Sequence, residues 1–471
     1  MRLLTAMCTA ALVLTAGPAI ADADSPESLA QRADAAAAAA SARSQLAVKV
    51  PTSQANATAA FLIPLRINNP RIGGTFGFNV VDPVTGDTVY SKMADTPMLP
   101  ASNMKIVTAI NALKVLGPDT RMTTDAVVEQ PGVVILRGGG DTTLSTTGLT
   151  KLARSTADYL RSKSSGRVKV YVDDSKFPAP SSGPGWTASY QPYIVRPVRA
   201  LGRLGVYQSD SAAEAGAVFA SALRAAGVKA RYSGHKDATA GAKAAASYQG
   251  DTVAAQVKAM LLVSENNIAE MLYRNVAVKR GRPATWKGAR LAARDTIREF
   301  GLKTDGLRLM DGSGVSRNDR LTAAFLTDLL QVGLNTKKYP QLKGFFDSLP
   351  IGGRTGTLAP SAARFTTSPS KCAAGQVWAK TGTLFDTIGL SGYTRGADGE
   401  IKVFSALVNN RPQGYSPLST RQAVDGLVAT VNGCWGPNKK TGPGPTAGSQ
   451  DGQTSSAAAV PAPAQGTVYG D

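Results

Sequence analysis

The chain has 471 residues, of which 43% are hydrophobic, so it can bury a large core in two or three domains. Its formal net charge of +19 suits anionic surroundings such as lipid or acidic cell-wall polymer, whereas nucleic-acid binding is not expected because no run of lysine or arginine is present. The single histidine, His235, is interpreted as a surface or loop residue, which argues against a Ser-His-Asp triad, a Cys-His pair and a two-histidine zinc site.

The N-terminus has the organisation of a secretory signal peptide. Arg2 precedes an apolar run over residues 3–16, and the Ala-Ile-Ala site at 19–21 predicts cleavage before Asp22. No other stretch approaches the roughly 18–20 apolar residues of a membrane span. We therefore expect residues 1–21 to be removed and the mature protein to be exported to the periplasm, the cell wall or the medium, without a transmembrane span.

The first part of the mature chain predicts three elements in order. Residues 22–60 are rich in alanine and serine, which indicates a helical or loose leader. The segments 75–81 and 87–90 flank Pro-Val-Thr-Gly, a pattern that predicts a β-hairpin. Residues 106–116 are apolar on nearly every side and are followed by Gly-Pro, so they predict a buried helix.

A Ser-x-x-Lys motif opens this buried helix. The spacing of three places the Ser102 hydroxyl and the Lys105 amine on one helical face. A lysine that is desolvated there loses affinity for its proton and can accept the serine proton, so we predict Ser102 as nucleophile and Lys105 as general base. The same spacing recurs at Ser233 and Ser368, but no buried helix follows either of them. The helical setting, rather than the spacing, therefore carries this prediction.

The middle of the chain is interpreted as an inserted unit, residues 125–245. Short strand-like runs at 133–136 and 168–172 alternate there with loops and with an alanine-rich helix at 211–226. Because the unit follows the Ser102 helix directly, it divides the first domain into two stretches of chain.

Two further motifs follow the inserted unit. Ser264 and Asn266 form a Ser-x-Asn pair at the joint between two predicted helices, 252–263 and 268–276. Lys380 opens a Lys-Thr-Gly motif in a strand context. Strand-like runs lie at 377–379, 388–393 and 401–408, and a final helix is predicted at 419–431.

The end of the chain contains two cysteines and a tail of biased composition. Once the signal peptide is removed, Cys372 and Cys434 remain, and in an oxidising compartment one disulfide is favoured over two free thiols. Residues 437–471 are rich in proline, glycine, alanine and serine, which predicts disorder or a wall-spanning linker.

The three motifs occur in the order of the serine β-lactamase/penicillin-binding superfamily. Within it, the chain resembles the D-Ala-D-Ala carboxypeptidases typified by penicillin-binding protein 4, peptidase family S13. The resemblance covers about residues 70–432. It includes Gly-Gly-Gly-Asp-Thr-Thr-Leu at 138–144, Asp-Asp-Ser-Lys-Phe at 173–177, Asp-Gly-Ser-Gly-Val-Ser at 311–316, Leu-Pro-Ile-Gly-Gly at 349–353, Gly-Thr-Leu at 356–358 and Ala-Lys-Thr-Gly-Thr-Leu at 379–384.

The resemblance implies an α/β (α+β) fold of the β-lactamase/transpeptidase type. An antiparallel sheet would pack with a helical subdomain, formed by residues 61–124 and 246–436, and 125–245 would be the smaller inserted domain. Ser102 and Ser264 are close in sequence for a family member with two inserts, so one insert is expected to be reduced or missing. The implied substrate is a peptidoglycan stem peptide ending in D-Ala-D-Ala, or the cross-link between stems. The implied inhibitors are β-lactams, and no cofactor or metal is implied.

The resemblance also implies a role for each motif residue. Ser264 would relay a proton to the leaving amine, and Asn266 would hold Lys105 and the substrate amide. Lys380 would place a cation beside Ser264.

The substrate and oxyanion contacts are implied for the strand end. Thr381 and Thr383, on either side of Gly382, would bind the terminal carboxylate. The backbone N–H groups of Ser102 and Thr383 would form the oxyanion hole.

Other functions stay open at this point. A β-lactamase needs a carboxylate that activates water, and no segment resembles that motif, so slow deacylation and a role as a penicillin target are expected. An esterase of the same superfamily is possible, although Lys-Thr-Gly favours a substrate with a carboxylate. A catalytically silent protein that binds anionic wall polymer through its basic body is the alternative from a different class.

Overall fold

The computed structural model describes residues 52–163 and 166–435. The predicted signal peptide, the leader up to residue 51 and the predicted tail at 437–471 lie outside the described residues. Across the described ranges, no helix is both long enough and apolar enough to cross a membrane.

Helices and strands occur in alternating groups along the described chain. The helices are α1 (Thr52–Ile67), α2 (Met104–Leu116), α3 (Thr146–Ser162), α4 (Ser211–Ala225), α5 (Val253–Val263), α6 (Asn266–Lys279), α7 (Trp286–Glu299), α8 (Ala323–Leu334) and α9 (Pro417–Val431). The strands are β1 (Phe76–Val81), β2 (Thr88–Lys92), β3 (Arg121–Gln130), β4 (Val133–Gly138), β5 (Val168–Asp173), β6 (Ala230–His235), β7 (Ala244–Thr252), β8 (Val377–Leu384), β9 (Thr387–Arg395) and β10 (Ile401–Val408).

The main sheet is antiparallel, with the strand order β2-β1-β10-β9-β8. Phe76 of β1 lies opposite Val408 of β10, and β1 pairs with β2 as the predicted hairpin. On one face, α1 and α9 pack through a cluster that includes Ile63, Phe78 and Leu427. The helical body covers the other face, which explains why all six residues of β1 are buried. The predicted antiparallel sheet is confirmed.

Helix α1 crosses the boundary that the sequence predicts at residue 60. It begins at Thr52, inside the predicted leader. Its buried residues, Ala55, Ala59, Ile63 and Ile67, recur every four positions and therefore form one face toward the core. The alanine-rich composition concealed this periodicity, because Ala57 and Ala60 lie between the buried positions and alanine occurs both on the buried face and outside it.

Helix α2 is the centre of the helical body. Eleven of its thirteen residues are buried, and it lies against α5, α6 and α7 in one apolar cluster. The buried helix predicted from the apolar run is therefore confirmed, with its start two residues earlier than predicted. Burial on every side is what places Lys105, in the first turn, out of contact with water.

The predicted inserted unit contains a second sheet, with the strand order β6-β5-β4-β3-β7. β4, β5 and β6 are parallel to one another, and β3 pairs antiparallel to both β4 and β7. Helices α3 and α4 pack on the sheet through residues such as Leu152, Val170 and Phe219. The sheet begins at Arg121 and ends at Thr252, so it extends a few residues beyond both ends of the predicted unit.

Three helices, α3, α7 and α8, were not predicted. Each begins with a serine or threonine whose side chain accepts the backbone N–H three residues later, namely Ser145, Thr285 and Thr322. This capping pattern was present in the sequence. The helices α3 and α7 were missed because charged residues on their outer faces interrupt the apolar runs from which helices were predicted.

The disulfide predicted between Cys372 and Cys434 is present. The two Cα atoms are 6.0 Å apart. The bond joins the turn before β8 to the residues just after α9, and so fixes the end of the described chain beside the Lys-Thr-Gly strand.

Candidate active site

Ser102 lies on a short 3-10 turn, Ala101–Asn103, that leads into α2. Its side chain is half-buried. Ala101 has a φ of 46°, which is uncommon for a residue with a Cβ and marks a sharp bend. Opposite this bend, Gly314 has no space for a side chain, because a Cβ there would be 1.8 Å from the Ala101 carbonyl oxygen. The Asp-Gly-Ser-Gly loop therefore packs directly on the turn that carries Ser102.

Lys105 connects three parts of the site. Its Nζ is 3.0 Å from the Ser102 Oγ, 2.7 Å from the Asn266 Oδ1 and 2.8 Å from the carbonyl oxygen of Ser313. The amine is fully buried. Three acceptors thus hold it in one position against the nucleophile, which is the geometry that proton transfer requires.

Burial makes Lys105 a weaker base than a lysine in water. It lowers the pKa of the Lys105 amine to about 8, although the negative charges of Glu270, Asp311 and Glu265 act in the opposite direction. A neutral amine at this position can accept the hydroxyl proton of Ser102. The arrangement therefore provides a nucleophile activated by an adjacent base.

Ser264 and Asn266 lie where α5 ends and α6 begins. Ser264 adopts a left-handed backbone conformation, with a φ of 62°, which turns the chain sharply between the two helices. Glu265 caps α6 by accepting the Ile268 N–H at 2.6 Å. The Asn266 Nδ2 donates to the Ile194 carbonyl at 2.7 Å, so the Asn266 amide is held from both ends. Within the described residues, the Ser264 side chain makes no hydrogen bond.

Lys380 is the second buried lysine of the site, in the middle of β8. Burial, together with the positive charges of Lys105 and Arg364, lowers its pKa well below the ordinary value. Its Nζ donates to the Thr381 carbonyl at 2.8 Å, and the Thr381 hydroxyl donates to the Thr357 Oγ1 at 2.8 Å. The Lys-Thr-Gly strand thus lies close enough to Lys105 for the charge of Lys105 to lower the pKa of Lys380.

Gly382 and Thr383 complete the strand end. A Cβ at Gly382 would lie 2.6 Å from the Asn103 Nδ2, so the strand approaches the Ser102 turn only because this residue is glycine. Thr383 is exposed and lies opposite Ile388 of β9. The strand therefore approaches the nucleophile turn at Gly382, and the next side chain along it, Thr383, faces solvent.

The inserted unit contributes to the site through the long segment between β5 and α4. From this segment, the Ile194 carbonyl accepts the Asn266 amide, and the Trp186 Nε1 donates to the Asp311 Oδ2 at 2.8 Å. These contacts were not predicted. The segment has no regular pattern, and its partners lie more than 70 positions away along the chain.

His235 lies away from these residues, at the end of β6 in the second sheet. Its Nε2 is 2.8 Å from the Asp210 Oδ2, and its Nδ1 is 3.4 Å from the Asp174 Oδ1. The side chain is exposed, in agreement with its interpretation as a surface residue.

A sequence profile of the D-Ala-D-Ala carboxypeptidase 3 (S13) family matches residues 63–202 and 197–431 of this chain. The chain belongs to the S13 family. Carboxypeptidase DacB from Mycolicibacterium smegmatis is 32% identical over 414 residues, which are 83% of this chain and 86% of that protein. D-alanyl-D-alanine carboxypeptidase from an Actinomadura species is 28% identical, over 80% of this chain and 87% of that protein.

The fold agrees with this assignment. Penicillin binding protein 4 (dacB) from Haemophilus influenzae superposes with a TM-score of 0.66, at 18% identity, and the match covers 78% of this chain and 99% of that one. The predictions of the family, of the penicillin-binding fold and of a serine-type D-Ala-D-Ala carboxypeptidase are confirmed.

Proposed function

We propose that this S13 enzyme hydrolyses peptidoglycan stem peptides through an acyl-enzyme on Ser102. The contact that carries the proposal is the 3.0 Å approach of the Lys105 amine to the Ser102 hydroxyl. Neutral Lys105 accepts the hydroxyl proton while the Ser102 oxygen attacks the carbonyl carbon between the two terminal D-alanines. The C–N bond then breaks, the departing amine takes up a proton, and water hydrolyses the ester to release Ser102.

The other motif residues are proposed to act on charge and orientation. Ser264 relays the proton to the departing amine, and Asn266 orients both Lys105 and the substrate amide. Lys380 provides a second cation near Ser264. Its burial supports this role, because a desolvated charge acts strongly on its neighbours.

The end of β8 is proposed to bind the substrate terminus. Thr383 donates to the terminal carboxylate, and Thr381 does so by turning its hydroxyl hydrogen away from the Thr357 Oγ1. The backbone N–H groups of Ser102 and Thr383 form the oxyanion hole. Gly382 lets the strand lie close enough to the Ser102 turn for both groups to reach one carbonyl oxygen.

A fluorescent penicillin tests the acyl-enzyme on Ser102. We expect stable labelling of the full chain, because a β-lactam opens on the nucleophile and deacylates slowly, and complete loss of labelling in Ser102→Ala. The control is Ser233→Ala, which removes the serine of another Ser-x-x-Lys sequence. Labelling that persists in Ser102→Ala would contradict the assignment, and rapid turnover of the penicillin would favour a β-lactamase.

Mass spectrometry of the products identifies the reaction. A pentapeptide ending in D-Ala-D-Ala is expected to lose one alanine, and a cross-linked dimer is the matched second substrate. Cleavage of the dimer would add endopeptidase activity to the proposal. Neither product from protein that still binds penicillin would exclude the stem peptide as substrate.

We also propose that the mature protein is exported and that its catalytic domain is discontinuous, from 61–124 and 246–436, with 125–245 inserted. The disulfide and the signal-peptide pattern support export. The second sheet, with its own apolar cluster, supports the insertion. N-terminal sequencing of protein secreted by its bacterial host is expected to begin at Asp22.

A second proposal concerns the inserted unit, which carries a basic pocket suited to an anionic wall polymer. The pocket has a volume of about 470 Å³ and includes Arg167, Arg224, Lys229 and Arg231 in its lining, with no carboxylate. All four cations are exposed. On the same face, Lys169 lies directly beside Arg231 in the parallel register, and neighbouring like charges are unfavourable unless an anion lies between them.

Binding of poly(glycerol phosphate) to the full chain tests this pocket. Changing the four lining cations to glutamine is expected to weaken binding at least about tenfold and to reduce its salt dependence. The matched control changes four exposed cations elsewhere, Lys258, Lys287, Arg298 and Lys303, and so lowers the net charge equally. An equal loss in both variants would show that net charge alone attracts the polymer and would overturn the proposal.

A further inference from the structure

Three carboxylates near the active site, Glu270, Asp311 and Asp319, are completely buried. The charges of Glu270 and Asp311 act on the base Lys105. Buried carboxylates are costly unless they are paired or accept several hydrogen bonds. None of the three forms an ion pair with another residue in the described part of the chain. Glu270 and Asp311 instead accept backbone hydrogen bonds with both carboxylate oxygens.

Both carboxylate oxygens of Glu270 accept hydrogen bonds from the backbone of the Asp-Gly-Ser-Gly loop. Its Oε2 accepts the Gly312 N–H at 3.0 Å, and its Oε1 accepts the Ser313 N–H at 2.8 Å. Glu270 lies on α6, four residues after Asn266, so both side chains are on the same face of that helix. One helix thus holds the Lys105 amine directly through Asn266 and holds the neighbouring loop through Glu270.

The same two loop residues face α2 with their carbonyl groups. The Ser313 carbonyl accepts from the Lys105 Nζ at 2.8 Å, and the Gly312 carbonyl accepts from the Thr108 hydroxyl at 2.6 Å. The loop is therefore a bridge, with its N–H groups on the Glu270 carboxylate and its C=O groups on the helix of the nucleophile and base. A shift of the bridge would move the third acceptor of the Lys105 amine.

We propose that Glu270 is a positioning residue for acylation: its carboxylate fixes the Gly312–Ser313 backbone so that the Ser313 carbonyl holds the Lys105 amine against Ser102. The tight contact between Gly314 and the Ala101 carbonyl extends this effect, because the same loop also supports the turn that carries the nucleophile. The inference rests on the proposed acyl-enzyme and adds a residue that none of the three motifs contains.

Glu270 also contributes its charge. Its negative charge raises the pKa of the Lys105 amine, against the larger lowering that burial causes. Burial and the Asp311 charge raise the pKa of Glu270 itself, while the two backbone N–H groups favour its ionised form. Several ionisable groups surround Lys105 and Glu270. They are Glu265 at the N-cap of α6, Tyr273 and Arg274 on α6, Asp311 and Asp319 on the loop, and Lys380 on β8.

The test is the pH profile of acylation by fluorescent penicillin, measured on the full chain. Glu270→Gln keeps the side-chain length but loses the charge and one of the two backbone acceptors. Its acylation rate is expected to fall about 10- to 100-fold, as for a small displacement of a catalytic group. The acid limb of the profile is the range in which the rate falls because Lys105 becomes protonated. This limb should move to lower pH, because without the negative charge of Glu270 the pKa of the Lys105 amine is lower.

Two further variants separate position from charge and from stability. Glu270→Asp keeps the charge but is one methylene shorter, so its rate should fall while the acid limb stays at the wild-type pH. Asp82→Asn breaks the buried ion pair of Asp82 with Lys402, away from the site, and serves as the stability control. It should lower the melting temperature without moving the acid limb.

The outcomes distinguish this inference from the proposed function. Absence of labelling in the wild-type protein would speak against the acyl-enzyme and not against Glu270. If the wild type is labelled, a folded Glu270→Gln protein with the wild-type rate and limb overturns the inference. The inference is also overturned if the acylation rate of Glu270→Gln falls only in proportion to the unfolded fraction of the protein, as is expected for Asp82→Asn. If Glu270→Gln does not fold, a wild-type rate in Glu270→Asp overturns it.

Discussion

Two groups of cations in this protein carry the same charge at neutral pH in water, yet the fold places them in opposite environments. Lys105 and Lys380 are fully buried beside the nucleophile, whereas Arg167, Lys229 and Arg231 are exposed around a pocket of the inserted unit. Burial lowers the pKa of both lysines. The comparison suggests two requirements for a proton acceptor: a residue type that can lose its proton, which arginine cannot, and a buried environment that lowers the pKa of lysine.

The largest effect is expected from Lys105→Arg. Arginine keeps the positive charge but cannot lose its proton, so acylation by penicillin should fall about 10²- to 10⁴-fold, the usual contribution of a general base. The matched control is the same exchange at Lys258, which is exposed on α5. A rate near that of the wild type in Lys105→Arg would mean that charge, and not proton transfer, is what Lys105 provides.

The pH dependence of wild-type acylation sharpens the same contrast. Because the pKa of Lys105 is lowered to about 8, the neutral fraction of the amine decreases about tenfold for each pH unit well below that value. The acylation rate should follow this decrease, with its acid limb near pH 8 rather than near the ordinary pKa of lysine. Stopped-flow labelling between pH 5 and 10 measures the limb, and a rate that still increases about tenfold for each pH unit up to pH 10 would contradict the effect of burial.

Burial should also decide what an ion pair contributes to stability. Arg364 and Asp425 form a pair with side-chain exposures of 4% and 0%, whereas Arg161 and Asp158 are 58% and 71% exposed. Arg364→Gln should lower the free energy of unfolding by about 3–5 kcal/mol, because it leaves a buried carboxylate unpaired. Arg161→Gln should cost about 0–1 kcal/mol. Urea unfolding compares the two, and equal losses would disprove the role of burial.

The smallest effect for each substituted residue is expected in the four-site variant of the basic pocket. Its cations are exposed, so the free energy of unfolding should change by no more than about 0.5 kcal/mol for each site. Penicillin acylation should remain at the wild-type rate because the pocket lies in the second sheet, apart from Ser102. A large loss of stability would indicate that these side chains pack on the fold rather than bind a ligand.

The sequence predicted the elements whose information is local. The apolar run behind Ser102 predicted a buried helix, and the hairpin of β1 and β2 followed from alternation and a turn. Helix α1 crosses the boundary predicted at residue 60, because its buried face of two alanines and two isoleucines is visible only as a period of four. The roles of Ser264, Thr381 and Thr383 stay predictions, since they depend on a bound substrate.

By itself, then, the sequence determined the family, through three motifs in order. It also indicated that serine and lysine carry the chemistry, because a single histidine argues against a histidine-based site. The resemblance also implied that Asn266 holds Lys105, but only the tertiary structure decided the other contacts around the base. The Ser313 carbonyl reaches the Lys105 amine from 208 positions away, and Glu270 acts through backbone N–H groups that every residue type except proline carries. Such contacts leave no pattern in the sequence, because they depend on where the fold places the backbone rather than on which side chains it carries.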